Sequence, residues 1–169
     1  MEMDLKKQTY NKQLYQQYIL GSAEVVGLMC LRVFCEGNNE LYEKLKYPAM
    51  KLGAAFQKVN FLRDVKADNE ELGRTYFPGV DLQRFSPKEK QKIERDIQED
   101  FEKALQGIAQ LPMSSRKGVY LAYFYYQRLF SMIKKTPVEK VLSTRIRIPN
   151  ARKIGLMFVS LGRCSFNIL

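Results

Sequence analysis

Two amides and two carboxylates recur at helical spacing in one segment and give the sequence its best candidates for chemistry. They fall at i, i+3, i+7 and i+11 and are Gln57, Asn60, Asp64 and Asp68, here called the polar stripe. In a helix this spacing places all four side chains on one face. Two carboxylates one turn apart repel each other unless a cation lies between them. A divalent ion such as Mg²⁺, with substrate phosphates completing its shell, fits that need, and the alternative is an ordinary solvated face.

The residues that follow this predicted helix favour the interpretation of the polar stripe as a metal site over that of a solvated face. Gly73 and Pro78 end the helix, and Arg74 and Tyr76 lie between them. The string from residue 53 to 78 resembles the second aspartate-rich motif of the squalene and phytoene synthase family. That motif is N-x-x-R-D-x-x-x-D followed by G-R-x-Y-x-P, and here many specified positions match in one order.

The composition excludes several classes of function. The chain has no histidine, which rules out Ser-His and Cys-His catalysis, and its three cysteines are not spaced as a metal site. They indicate a reducing cytosol. We find no apolar run of the roughly 18 residues that span a bilayer, and no secretory signal. We therefore expect one domain over residues 1–169, in the cytoplasm, with peripheral membrane association left open.

The net charge of +10 first suggests nucleic acid as a partner. The basic residues are nevertheless spread along the chain, and the densest group, Arg145 to Arg147 with Arg152 and Lys153, is short. An anionic substrate or an anionic membrane surface explains the charge equally well. We expect no nucleic-acid partner.

Helical patterns cover nearly the whole chain and predict an all-α architecture of antiparallel helices with short loops. Pro48 suits the first turn of a new helix better than a helix interior. Ser86 to Glu89 forms a capping box that opens another helix. The predicted helices cover residues 8–34, the region from Asn39 to Pro48, the region from Pro48 through the polar stripe, residues 87–111, 115–135 and 150–163.

An N-terminal helix carries two tyrosines at the spacing of the family's Y-x-x-Y-x-x-G pattern. The resemblance assigns Tyr15 and Tyr18 to the catalytic set, together with Gln57 and Asn60. The small residues 21–23 either leave room for an isoprenoid tail or permit close helix packing. Where this chain has Glu24 the family often has glycine, which affects the lining of the tail channel.

The resemblance also supplies a set of diphosphate ligands, namely Arg74, Tyr126 and Arg145. A guanidinium fork suits phosphate oxygens. The alternatives are a core tyrosine and a surface arginine. Asp64 and Asp68 are the residues that the resemblance assigns to Mg²⁺.

A second pair of aspartates, Asp96 and Asp100, has the D-x-x-x-D spacing of the family's first metal motif but lies after the second motif. Both are predicted to lie away from the apolar Ile93–Phe101 face, among basic residues. We interpret them as a solvated face.

The resemblance covers residues from about 3 to 165 and implies the C-terminal part of an isoprenoid synthase-type helical bundle, of the bacterial phytoene synthase kind. Such enzymes are transferases that join two prenyl diphosphates head to head, here with geranylgeranyl diphosphate as the expected substrate, in carotenoid biosynthesis. The alternatives are a squalene or dehydrosqualene synthase that uses farnesyl diphosphate, or a catalytically incomplete helical binding or assembly fragment. The helices with the first aspartate-rich motif have no counterpart here, so we expect a missing N-terminal half or a separate chain as partner, and weak or no activity of the chain alone.

Overall fold

The structure, a computed structural model, describes residues 10–70, 76–80, 85–149, 155–160 and 162. These residues form helices and turns without any strand, which confirms the all-α fold class. Residues 155–160 are also helical. The principal elements are α1 (Lys12–Ile19), a π-helical turn (Leu20–Glu24), α2 (Val25–Phe34), α3 (Asn39–Glu70), α4 (Pro87–Ile108), α5 (Met113–Lys135) and α6 (Val138–Ser143).

Local chemistry explains where several of these helices begin and end. The Asn11 side chain caps α1 by accepting a hydrogen bond from the backbone N–H of Leu14 at 2.8 Å. After α2 the chain turns through Glu36 and Gly37, both with positive φ. The capping box predicted at α4 is present, with Ser86 and Glu89 each bonded to the other's backbone.

Pro48 lies inside α3, so the prediction that it begins a new helix is wrong. An interior proline removes one backbone hydrogen bond and crowds the preceding turn. Here its ring packs closely against α4, where a Cβ atom added to Gly107 would lie 2.3 Å from the Cβ atom of Pro48. Because the contact between α3 and α4 needs this ring, packing offsets the local cost.

Helix α3 is the central element, in contact with the π-helical turn and with α2, α4, α5 and α6. Its fully buried residues include Ala55, Val59 and Leu62. The helix α6 was not predicted from the sequence. Of the predicted last helix over residues 150–163, positions 150–154, 161 and 163 lie outside the described residues.

Candidate active site

Helix α3 presents the polar stripe at a boundary between core and solvent. Val59 and Leu62 on its other sides are completely buried. All four stripe side chains are intermediate in exposure. The stripe is therefore neither a fully solvated face nor a buried one, which is the setting that a polar ligand requires.

Two guanidinium groups bind the Asp64 carboxylate. Arg145 Nε lies 2.7 Å from Asp64 Oδ1, and Arg63 Nη2 lies 2.5 Å from Asp64 Oδ2. The hydrogen bond with Asp64 raises the pKa of the Arg63 guanidinium. Arg145 comes from the segment after α6, so the fold brings together two residues that are 81 positions apart.

Tyr126 of α5 reaches the stripe from the opposite helix. Its hydroxyl lies 3.3 Å from Asn60 Oδ1 and donates a hydrogen bond to it. Its ring stacks on Phe56 with a centroid distance of 4.0 Å and an interplanar angle of 17°. This stack fixes the ring, and hence the position of the hydroxyl, beside the stripe.

The two N-terminal tyrosines approach α3 through aromatic contacts with Phe61. The Phe61 ring centroid lies 6.2 Å from that of Tyr15 and 5.7 Å from that of Tyr18. Phe61 also stacks on Tyr76 at 4.1 Å, which ties the segment after α3 back to the helix. Burial raises the pKa of the Tyr15 phenol, and the Asp96 and Asp100 carboxylates raise it further, so that phenol remains a hydrogen-bond donor.

An apolar cavity of about 580 Å³ adjoins the stripe at Gln57. Its wall is built from α2, α3, α4, α5 and the π-helical turn, and includes Ser22, Ala23, Phe34, Leu45, Gly118 and Ala122. The structure shows both free space and close helix packing at the small residues 22 and 23. Ser22 and Ala23 line the cavity, while a Cβ atom on Gly53 would lie 2.4 Å from the Ala23 carbonyl oxygen.

The structure thus brings Arg145 to Asp64 and Tyr126 to Asn60, and places Gln57 at the cavity. Arg74 lies outside the described residues, and the Asp68 side chain is of intermediate exposure.

Within the described part of the chain, no three Asp, Glu, His or Cys side chains are grouped as a metal site. The stripe offers two carboxylates and two amide oxygens, which are hard donors suited to Mg²⁺ but make up only part of a shell.

The interpretation of Asp100 as a solvated residue is wrong. Asp100 is 2% exposed and accepts from Lys58 and Lys51 of α3, whereas Asp96 remains exposed. The apolar pattern of α4 identified one buried face. It carried no information on the two lysines that α3 presents to the adjoining face.

Sequence reasoning also passed over three residues that shape the site. Arg63 and Phe56 contact members of the predicted set directly. Arg63 had a signal, because it precedes Asp64 within the motif. Phe56 is an apolar residue of the same segment and has no further signal in the sequence, and Lys58, which is buried beside the stripe, has no signal in the local pattern.

Contrary to the expectation from the sequence, one helical stretch of the described chain, Lys12–Phe34, is long and apolar enough to cross a membrane by length and composition. Only 22% of its most apolar window is buried within the protein. A single stretch of this kind is weak evidence for a membrane span, and its low burial distinguishes it from the core helix of a soluble protein, which meets the same criteria.

Comparison with known proteins gives consistent matches. The model of the squalene/phytoene synthase family matches residues 1–152. The chloroplastic phytoene synthase of an Oncidium hybrid cultivar is 27% identical, with 96% of this chain and 43% of that protein aligned. Phytoene synthase 1 of Arabidopsis thaliana is 30% identical over 93% of this chain and 41% of that protein. The phytoene synthase of Arthrospira platensis is 28% identical over 90% of this chain and 57% of that protein. The chain spans about half the length of these relatives.

Proposed function

Because the chain belongs to the squalene/phytoene synthase family, we propose that it forms part of a prenyltransferase. The proposed reaction joins two molecules of geranylgeranyl diphosphate head to head, with release of diphosphate, in carotenoid biosynthesis. The relatives named above are phytoene synthases, which supports this branch of the family. We also propose that residues 1–169 make up a single domain.

The position of Gln57 is the observation that carries this proposal. Its side chain belongs to the polar stripe and also lines the apolar cavity. A prenyl diphosphate likewise combines a polar and an apolar part, because its charged head is joined directly to an apolar tail. The head would lie at the stripe and the tail would enter the cavity, whose walls are mainly apolar.

Arg145 and Tyr126 are the proposed ligands of the substrate diphosphate, together with Arg74. Arg145 now pairs with Asp64 and its side chain is 47% exposed, so it can turn to an arriving anion. The Tyr126 hydroxyl, oriented by Phe56 and Asn60, can donate to a diphosphate oxygen. Tyr15 and Tyr18 are proposed to line the reaction site on the other side of Phe61.

Asp64 and Asp68 would hold Mg²⁺, with Gln57 and Asn60 orienting the ion or the diphosphate. Mg²⁺ in such a site supplies positive charge that stabilises a leaving diphosphate. The oxygen donors of the stripe support this choice of ion. Further ligands would come from the substrate and from a second aspartate pair.

We propose that this second pair is carried by another helical segment, in the same polypeptide or in a separate one. The outer side of α2 supports such a partner, because Met29 and Val33 are 66% and 72% exposed. If the segment is a separate polypeptide, replacing both by lysine should prevent it from copurifying with this chain while leaving the fold intact. A cytoplasmic location at an anionic membrane surface, where an apolar substrate arrives, agrees with the net charge of +10.

Titration of the purified chain with pyrophosphate, with and without Mg²⁺, tests the proposal. With Mg²⁺ present, Asp64→Asn should weaken pyrophosphate binding at least ~10-fold, because an ion ligand is lost. Without Mg²⁺, the same variant should bind pyrophosphate as well as or better than the wild type, because Arg63 and Arg145 are no longer neutralised. Any release of pyrophosphate from geranylgeranyl diphosphate, which should be weak for this chain alone, should require Mg²⁺ and Asp64.

Glu99→Gln, at an exposed residue of α4, removes the same charge and is the matched control. It should bind like the wild type under both conditions. Identical behaviour of Asp64→Asn and the wild type with Mg²⁺ would instead identify a helical module without this catalytic site.

A further inference from the structure

A cluster of charges joins α3 to α4 on a different side of α3 from the polar stripe. Lys58 Nζ donates to Asp96 Oδ2 at 2.5 Å and to Asp100 Oδ2 at 2.7 Å. The other oxygen of Asp100 accepts from Lys51 Nζ at 3.0 Å. The side chains of Lys58 and Asp100 are only 9% and 3% exposed. Lys58 and Asp100 are therefore paired inside the protein, whereas the Lys51 and Asp96 side chains are 23% and 57% exposed. These four residues are here called the α3–α4 charge cluster.

Two further titratable groups border the cluster. Burial raises the pKa of the Glu24 carboxyl in the π-helical turn; Lys51 and Lys58 oppose this rise and Asp100 adds to it. The negative charges of Asp96 and Asp100 also raise the pKa of the Tyr15 phenol of α1, in addition to the larger effect of burial. Four segments, α1, the π-helical turn, α3 and α4, therefore meet around the cluster.

Net stability is a poor explanation for such a cluster. Removing two charges from water is expensive, and well-packed apolar side chains in their place often give equal or higher stability. Apolar contact is also non-directional. A buried ammonium shared by two carboxylates, in contrast, fixes the relative position of the two helices, because any shift breaks hydrogen bonds that nothing else replaces.

The cluster and the polar stripe are rigidly related through α3. Lys51 and Lys58 are seven residues apart and share one face, and Lys58 directly follows Gln57, about 100° further round the helix. A rotation of α3 that separated Lys58 from α4 would also turn the stripe. Asp64 would then move from Arg145, and Asn60 from Tyr126.

We propose that Lys58 is a positioning residue, whose bridge to Asp96 and Asp100 sets the rotation of α3 and so directs the polar stripe toward the substrate diphosphate. The inference rests on the proposed function only for the identity of this ligand. The rotation itself has a readout without any ligand, the contact between the stacked rings of Phe56 and Tyr126.

The test uses variants that should change the rotation of α3 without changing the stability of the protein, or the reverse. Lys58→Met combined with Asp100→Leu replaces the buried ion pair by apolar contact and leaves Asp96 in solvent. Its unfolding midpoint should stay near that of the wild type. The nuclear Overhauser effect between the Phe56 and Tyr126 rings should nevertheless weaken, and affinity for Mg²⁺–pyrophosphate should fall at least ~10-fold, the range for groups that orient ion ligands.

Three further variants keep the inference falsifiable. Lys58→Arg retains a cation that can bind both carboxylates and should preserve the ring contact and the affinity. Asp96→Asn changes an exposed residue, so it should fold even where the double variant does not, and it should weaken the ring contact in part. Lys90→Met removes another buried lysine, which donates to Glu94 of α4 and to the Lys134 carbonyl oxygen at the C-terminal end of α5, and it should lower stability without changing the ring contact.

An unchanged ring contact in the double variant, or in Asp96→Asn if the double variant is unfolded, overturns the inference. So does a loss of affinity that merely follows the loss of stability, as in Lys90→Met. If the wild type binds no Mg²⁺–pyrophosphate while the variants lose the ring contact, the proposed function fails and the positioning role of Lys58 stands.

Discussion

Glu24 lies in the π-helical turn, beside Lys51, Lys58 and Asp100. Burial is the main reason that the pKa of its carboxyl is raised above the ordinary value of 4.5. The folded chain therefore binds this proton more tightly than the unfolded chain does. Its contribution to stability is complete below about pH 4.5, and it is lost as the pH rises through the folded-state pKa.

Glu24→Gln should remove this pH dependence, since the amide has nearly the same shape and no charge. We expect the variant to gain in unfolding midpoint relative to the wild type, and to gain more at pH 7 than at pH 4. Thermal unfolding followed by circular dichroism between pH 4 and pH 8 measures the difference. Glu99→Gln, at an exposed position, should show no such trend. A gain at pH 4 that equals or exceeds the gain at pH 7 would contradict the prediction.

Individual residues show what spacing can and cannot predict. The shared face of Gln57, Asn60 and Asp64 followed from the fixed period of the helix. The partner of Asp64 did not, because Arg145 arrives through the folding of 81 positions of chain. Asp100 was assigned to the wrong environment because the burial of a charge depends on the opposite helix, where Lys51 and Lys58 lie.

At the scale of elements, the crossing of α3 and α4 depends on a proline against a glycine. Gly107→Ala would place a Cβ atom 2.3 Å from the Cβ atom of Pro48, whose ring cannot move away. We expect a loss of about 1–3 kcal/mol in the free energy of unfolding, as is usual for overpacking. Urea denaturation measures this change.

Gly118→Ala in α5 is the matched control for this substitution. A Cβ atom there meets no other atom within 4 Å. The variant should therefore gain about 0.5–1 kcal/mol from the lower conformational freedom of alanine in the unfolded chain. Equal effects at Gly107 and Gly118 would show that the close contact between α3 and α4 is not important.

The ends of a helix were predictable from the sequence where a side chain caps the backbone. They were not predictable where packing between helices determines whether a helix continues. Ser86 and Glu89 predict the start of α4 because the capping box depends only on residues that are close in sequence. Pro48 would normally interrupt a helix, and the packing of its ring against Gly107 of α4 is not visible in the local sequence. The π-helical turn has i→i+5 backbone hydrogen bonds in place of i→i+4 bonds and leaves no trace in the apolar pattern.

At the scale of the whole molecule, the fold separates a polar region from an apolar one. Asp64, Asn60 and their partners lie on the solvent side of the arrangement, and the cavity extends from Gln57 toward Phe34 and Leu45. The all-α class was predictable because nearly every segment has helical periodicity. The cavity was not, because five separate segments build its wall.

Ala122→Phe should separate tail binding from head binding. Ala122 lines the cavity from α5, so a phenyl ring there occupies space that the prenyl tail would fill. Affinity for a non-hydrolysable geranylgeranyl diphosphate analogue should fall at least ~10-fold, equivalent to about 1.4 kcal/mol of lost apolar burial. Affinity for Mg²⁺–pyrophosphate, which has no tail, should stay unchanged.

Calorimetric titration of both ligands gives the comparison, and Lys117→Phe provides the control. Lys117 is an exposed residue of the same helix outside the cavity wall, so the same added ring should change neither affinity. A parallel fall of both affinities in Ala122→Phe would mean that the substitution disturbs α3 and the stripe through Phe56 and Tyr126. An unchanged affinity for the geranylgeranyl analogue would mean that the tail lies elsewhere, and the cavity would then have no part in substrate binding.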